Sequence, residues 1–120
     1  ELGLRLDQSE ARVYAVLGDG EINEGAVWEA CMAASKFQAD NLCAIVDWNG
    51  VQLDGPTEEI MPMGALRAKF EAFGWHCIEC DGHDPAALIA AYDEAECKNY
   101  KLSSDAFFFF SKFLLKVKNM

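Results

Sequence analysis

Short apolar runs and helical periodicities alternate along the chain from Arg12 to Glu96. Arg12 to Leu17 (RVYAVL) is a β-branched and aromatic run that stops at Gly18-Asp19-Gly20, which predicts a buried strand followed by a sharp reversal. Leu42 to Val46 (LCAIV) predicts a second buried strand. Between them Val27, Ala30, Cys31 and Ala34 recur at i, i+3, i+4 and i+7, so Glu24 to about Phe37 should be a helix with one face on the sheet, capped by Asn23. After a loop from Asn49 to Pro62, the pattern predicts a helix over Gly64 to Phe73, a strand at Trp75 to Cys80, and a helix from Ala86 to about Glu96. Asp84-Pro85 starts that last helix well, since Asp caps free N–H groups and Pro supplies a helical φ where no N–H is needed.

Strand, helix and strand in this order form a βαβ unit whose right-handed crossover makes the strands parallel, with both carboxyl ends on one side. Asp19 and Asn49 then share that edge. The Trp28 and Met32 side of the intervening helix is apolar too, which predicts cover on a second side, by a partner chain.

Composition changes the picture at one end. The 120 residues suffice for one modest domain but are few for an enzyme that encloses a large cofactor. The formal charge of -10 argues against nonspecific binding to nucleic acid or to an anionic membrane, which need clustered Lys and Arg. The start at Glu1 shows no signal-peptide pattern, so the chain reads as a cytoplasmic piece. The five cysteines are odd in number and sit mostly in apolar stretches, as expected of reduced core thiols. Residues 1–97 hold 19 acids and 5 bases, whereas residues 98–120 hold 1 acid and 5 bases together with five of the eight phenylalanines. The apolar stretch from Ala106 to Leu115 is broken by Lys112 and falls short of the ~20 residues of a membrane-crossing helix. One domain is expected, partial, over 1–97, followed by an atypical Lys/Phe-rich tail over 98–120 that reads as foreign to it. The tail is either a sticky amphipathic segment or, preferably, an unnatural end from a shifted frame or read-through; an unnatural or a disordered tail is expected.

The chemistry lies in two turns. Two glycines around an acid at the end of a buried strand let the backbone approach a diphosphate, and the following helix aims free N–H groups at it. Asp19 adds a hard oxygen ligand; Mg²⁺ is usually held by one or two carboxylates plus phosphates. Asn49, 30 residues on, offers a neutral amide oxygen from the neighbouring loop, and Val51 a backbone carbonyl. Singly, Gly-Asp-Gly is a plain turn and Asn49-Gly50 a hairpin turn; together, each after a strand with a helix between, they point to a cofactor. The rival signal is Cys77-x-x-Cys80 beside His76 and His83. Zinc wants four converging ligands, yet strand residues three apart point to opposite faces, so buried core cysteines are the simpler reading.

Gly18-Asp19-Gly20 followed about thirty residues later by Asn49 is the thiamine-diphosphate signature. GDGEINEGAVWEA, DNLCAIVDWNGVQLDGPTEEIMP and FGWHCIECDGHD resemble the N-terminal section of transketolases, above all the split kind in which that section is a separate subunit. The resemblance covers about residues 2–96. It implies an α/β fold, a three-layer parallel sheet with helices on both faces, here an incomplete thiamine-diphosphate-binding domain. It also implies thiamine diphosphate and Mg²⁺ as cofactors, with Asp19, the Asn49 side chain and the Val51 carbonyl as metal ligands. Gly18, Asp19, Gly20, Glu24, Asn49 and Leu53 are the implied cofactor contacts, with Gly20 N–H at the diphosphate and Leu53 against the pyrimidine. Glu24 and Glu29 are implied in an acidic relay between paired active sites; without the resemblance they read as an acid at a helix N-terminus and a solvated helix residue.

The implied reaction is transfer of a two-carbon ketol unit between sugar phosphates. The implied partners are a C-terminal transketolase section or subunit, in a dimer of such pairs, with no nucleic acid and no membrane. The glutamate that activates the aminopyrimidine belongs to the family's other section, so the chain alone is expected to be inactive. Alternatives are a noncatalytic truncated or pseudo-subunit acting in association only, and another thiamine-diphosphate-dependent enzyme.

Overall fold

A computed structural model describes residues 2–96 and 107–111. The opening helix α1, Leu2–Leu6, leads into strand β1, Val13–Gly18. A 3-10 turn at Glu21–Asn23 precedes helix α2, Gly25–Lys36, and strand β2, Leu42–Asp47. Two-residue strands β3, Val51–Gln52, and β4, Gly55–Pro56, make a small hairpin that runs into the one-turn helix α3, Thr57–Ile60. Helix α4, Leu66–Ala72, strand β5, His76–Cys80, helix α5, Pro85–Glu96, and strand β6, Phe107–Ser111, follow.

The main sheet has the order β1-β2-β6-β5, and every pairing in it is parallel. Val13 lies opposite Leu42 and Gly18 opposite Asp47, so β1 and β2 end level with each other. Ala44 and Val46 of β2 and Cys77 of β5 join one core with Cys31 and Ala34 of α2 and Leu66 and Phe70 of α4. Ile45 and Ile78, on the alternate positions, pack with Leu88, Ala91 and Ala95 of α5. Since neighbouring strand residues face opposite ways, α2 and α4 cover one face and α5 the other. This is the expected three-layer parallel arrangement, in incomplete form. Arg12, just before β1, reaches the C-terminal end of α5, its Nη1 donating to the Ala95 carbonyl at 3.4 Å.

The predicted elements from β1 to α5 form with ends shifted by one or two residues. The cap assignments divide. Asp84 Oδ1 accepts from Ala86 N at 2.9 Å and holds the first turn of α5. Asn23 does not cap α2: Glu24 occupies the cap position in extended backbone, while Asn23 turns its Nδ2 to Gln52 Oε1 at 3.2 Å. The 3-10 turn causes this, because it uses the three residues expected to lead directly into the helix. At the other end of α2, Gln38 takes a left-handed conformation (φ 51°) and Ala39 N bonds back to Ala34 O at 2.9 Å, a helix stop more often built on Gly.

Trp28 is partly covered within the chain. Its ring lies 4.9 Å from that of Phe70 and 6.0 Å from that of Phe73, both in the α4 region, so α4 supplies part of its cover. Met32, by contrast, is half exposed. The turn signal at Asn49-Gly50 also resolves differently from a hairpin tip. The tip is Leu53-Asp54, with Val51 paired to Pro56 and Gln52 to Gly55, and Asn49-Gly50 leads into the hairpin.

β6 lies in the segment set apart by composition. Its backbone pairs Phe107–Phe110 with Cys43–Val46 on one side and with His76–Glu79 on the other. An unbroken apolar run suits such a position, because an inner strand of a parallel sheet meets apolar layers on both faces. The reading of the remaining tail lies outside the described residues. Among the described residues no helix is long and apolar enough to cross a membrane.

Candidate functional site

The level ends of β1 and β2 bring Asp19 and the Asn49 loop together. Asp19 is 2% exposed, and its Oδ2 accepts from Gly50 N and from Thr57 Oγ1, each at 2.8 Å. Thr57 N donates to Gly50 O at 2.9 Å, so Asp19, Gly50 and Thr57 close a ring that joins the two loops and α3. Gly50 can enter this ring because it adopts φ 78°, a left-handed conformation that costs a residue with Cβ roughly 1–2 kcal/mol. Asn49 is oriented locally: Val51 N donates to its Oδ1 at 2.8 Å and its Nδ2 reaches Asp47 Oδ2 at 3.5 Å.

Gly18 and Gly20 play different parts. Gly18 N donates to Glu21 Oε2 at 2.6 Å, which fixes the 3-10 turn on the end of β1. A Cβ on Gly20 would stand 3.1 Å from Gln52 Cβ and Oε1, so the absent side chain is what lets β3 approach the turn. Leu53 is fully exposed at the hairpin tip and Val51 half exposed beside it. Glu24 at the start of α2 and Glu29 within it are exposed.

Several carboxylate and amide atoms here are poised for something more. Asp47 Oδ1, Asn23 Oδ1 and Gln52 Nε2 are buried without a hydrogen-bond partner among the described residues. Burying an acceptor oxygen of a carboxylate unpaired is costly, and a cation offsets that cost. The expected donor set would be one buried carboxylate at Asp19, one amide oxygen at Asn49 and one carbonyl at Val51, with Asp47 hydrogen-bonded to Asn49. Hard oxygens of this kind, few in number, fit Mg²⁺ completed by phosphate oxygens and water. Among the described residues no three His, Cys, Asp or Glu side chains cluster as a self-sufficient metal cage.

Cys77 and Cys80 lie in different layers, Cys77 in the α2/α4 core and Cys80 against the α5 core. Burial pushes the Cys77 thiol up to about 12 and the Cys31 thiol up to about 11, which keeps both protonated at neutral pH. His76 Nε2 lies 3.1 Å from Glu94 Oε1. Thr57, Asp47 and Gln52 are the site residues that sequence patterns did not single out. Thr57 had as its sole local signal a hydroxyl residue between Pro56 and two acids, and its partner Asp19 is 38 positions away.

A parallel sheet with a Gly-Asp-Gly turn and an Asn loop at its carboxyl edge defines a thiamine-diphosphate-binding α/β domain. The family described as transketolase, thiamine diphosphate binding domain, matches residues 5–104, and the chain belongs to it. That match runs past the composition break at residue 97. The chain is 40% identical over 95 residues to the 6-deoxy-6-sulfo-D-fructose transketolase subunit of a Clostridium species, covering 79% of this chain and 34% of that subunit. It is 43% identical over 94 residues to human transketolase, covering 78% of this chain and 15% of that protein. The crystal structure of Campylobacter jejuni transketolase superposes with a TM-score of 0.77 at 26% identity, covering 88% of this chain and 16% of that one. The chain thus spans about a third of the length of the subunit relative.

Proposed function

We propose that this chain carries the diphosphate- and Mg²⁺-binding part of a transketolase site, acting in two-carbon ketol transfer between sugar phosphates. The observation that carries the proposal is Asp19 Oδ2 holding Gly50 N–H, which sets the buried carboxylate beside the Asn49–Val51 loop. Asp19, the Asn49 side chain and the Val51 carbonyl hold Mg²⁺, and Gly20 N–H meets the diphosphate. Leu53, exposed on the hairpin, is the contact to the pyrimidine, and Glu24 and Glu29 form the acidic relay toward a second site. Bound thiamine diphosphate would supply the carbon centre that accepts and releases the two-carbon unit; the residues here orient one end of it. A C-terminal section or subunit, in a dimer of such pairs, completes the site.

Calorimetry of the 120-residue chain with thiamine diphosphate should show Mg²⁺-dependent binding that Asp19→Ala abolishes. Equal binding by Asp19→Ala refutes the metal assignment. The pure chain should show no transketolase turnover. In complex with a C-terminal section, activity on a ketose phosphate rather than on pyruvate separates this reading from another thiamine-dependent enzyme. A noncatalytic role in association is favoured by apolar side chains left in solvent on the α5 side, Val16 at 68% and Ile89 at 62% exposure. Partner binding that is unchanged by Asp19→Ala and needs no cofactor would support that second reading.

A further inference from the structure

Asp19 Oδ2 receives two donors, and its Oδ1 receives none from the described residues. Each carboxylate oxygen has two lone-pair sites, so Oδ2 is filled and Oδ1 keeps both. One of the two donors is the backbone N–H of Gly50. The other is the hydroxyl of Thr57, a residue 1% exposed whose own backbone N–H donates to Gly50 O.

We propose that Thr57 is a positioning residue for the metal: by occupying Asp19 Oδ2 it turns Oδ1 toward a divalent cation and holds the Asn49–Val51 loop at ligand distance. The inference rests on the Mg²⁺ reading above. Thr57 touches neither cation nor cofactor and acts through Asp19 and Gly50. Outer partners of a metal ligand of this kind typically change affinity by about 10- to 100-fold when lost.

The test is Mn²⁺ binding to the full 120-residue chain, read from the electron paramagnetic resonance signal of free Mn²⁺ with thiamine diphosphate present. Thr57→Val keeps the shape and loses the hydroxyl; Thr57→Ser keeps the hydroxyl and loses the methyl. Thr57→Val should weaken Mn²⁺ binding about tenfold while its circular dichroism melt still reports a folded chain, and Thr57→Ser should bind like the parent. Parental affinity in Thr57→Val, or a tenfold loss in a folded Thr57→Ser, overturns the inference and leaves the metal site standing. If Thr57→Val does not fold, the Ser variant decides alone on the same criterion. A parent chain that binds no Mn²⁺ with thiamine diphosphate overturns the proposed site and this inference together.

Discussion

Gly20 and Gly18 flank the same carboxylate, yet they should respond differently to a methyl group. At Gly20 the added Cβ meets Gln52 at 3.1 Å, and the obstructing atoms include Gln52 Cβ, which cannot swing away without moving β3. At Gly18 the nearest atom is Glu21 Oε2 at 3.6 Å, ordinary contact. Gly20→Ala should therefore cost about 1–3 kcal/mol by overpacking and weaken cofactor binding, whereas Gly18→Ala should be milder on both counts; urea unfolding and calorimetry on the two variants check this. Asp19 and Asn49 were legible in the sequence because each follows a strand directly, so chain spacing alone brings them to one edge. Thr57 and Asp47 were not, because their roles depend on where Gly50 and the second carboxylate sit in space. Trp28 shows the same limit from the other side: its apolar stripe was readable, but whether α4 or another chain covers it was not.

At the scale of elements, α2 and α4 are joined by aromatic packing more than by polar bonds. Phe70 is fully buried between Trp28 and Trp75, with ring centroids at 4.9 and 6.2 Å, and Trp75 Nε1 donates to Cys31 O at 3.1 Å. Ser35 Oγ adds a hydrogen bond to the Phe73 carbonyl. Phe70→Ala should destabilise the chain by about 3–5 kcal/mol and lower Tm by roughly 12 °C or more, measured by thermal circular dichroism. The long elements were legible because their apolar periods run for a full strand or several helical turns. The hairpin of β3 and β4 was not, since two-residue strands carry no period. β6 was missed for a different reason: four identical apolar residues have no alternation to read, and their lysine-rich surroundings suggested an end rather than an inner strand.

For the whole molecule, pH acts through the buried thiols. Burial raises the folded-state values of Cys31 and Cys77 from the ordinary thiol value of 9.0 to about 11 and about 12. Unfolded chains lose these protons first, so the stabilising contribution is fully present below about pH 9 and is lost as pH rises toward 11 and 12. Urea midpoints should fall over that window, and Cys31→Ala with Cys77→Ala should flatten the fall; a parent midpoint that is level from pH 9 to 11 contradicts the burial of these thiols. The parallel pairing of β1 and β2 was legible in the βαβ order, while the three-layer plan came with the family resemblance. The order of strands in the sheet was not legible, for it requires knowing that β6 goes between β2 and β5.

That placement of β6 bears on how the chain is made. β2 and β5 leave the ribosome before β6, the strand that separates them, so β2 must wait with one edge unpaired and β5 with no partner among the described strands. A waiting edge is a template for the wrong neighbour. Until Phe107–Ser111 emerges, β2 and β5 must either pair with each other provisionally and then part, or stay open to other chains, so the interval between the synthesis of β5 and that of β6 is when this sheet is most exposed to aggregation.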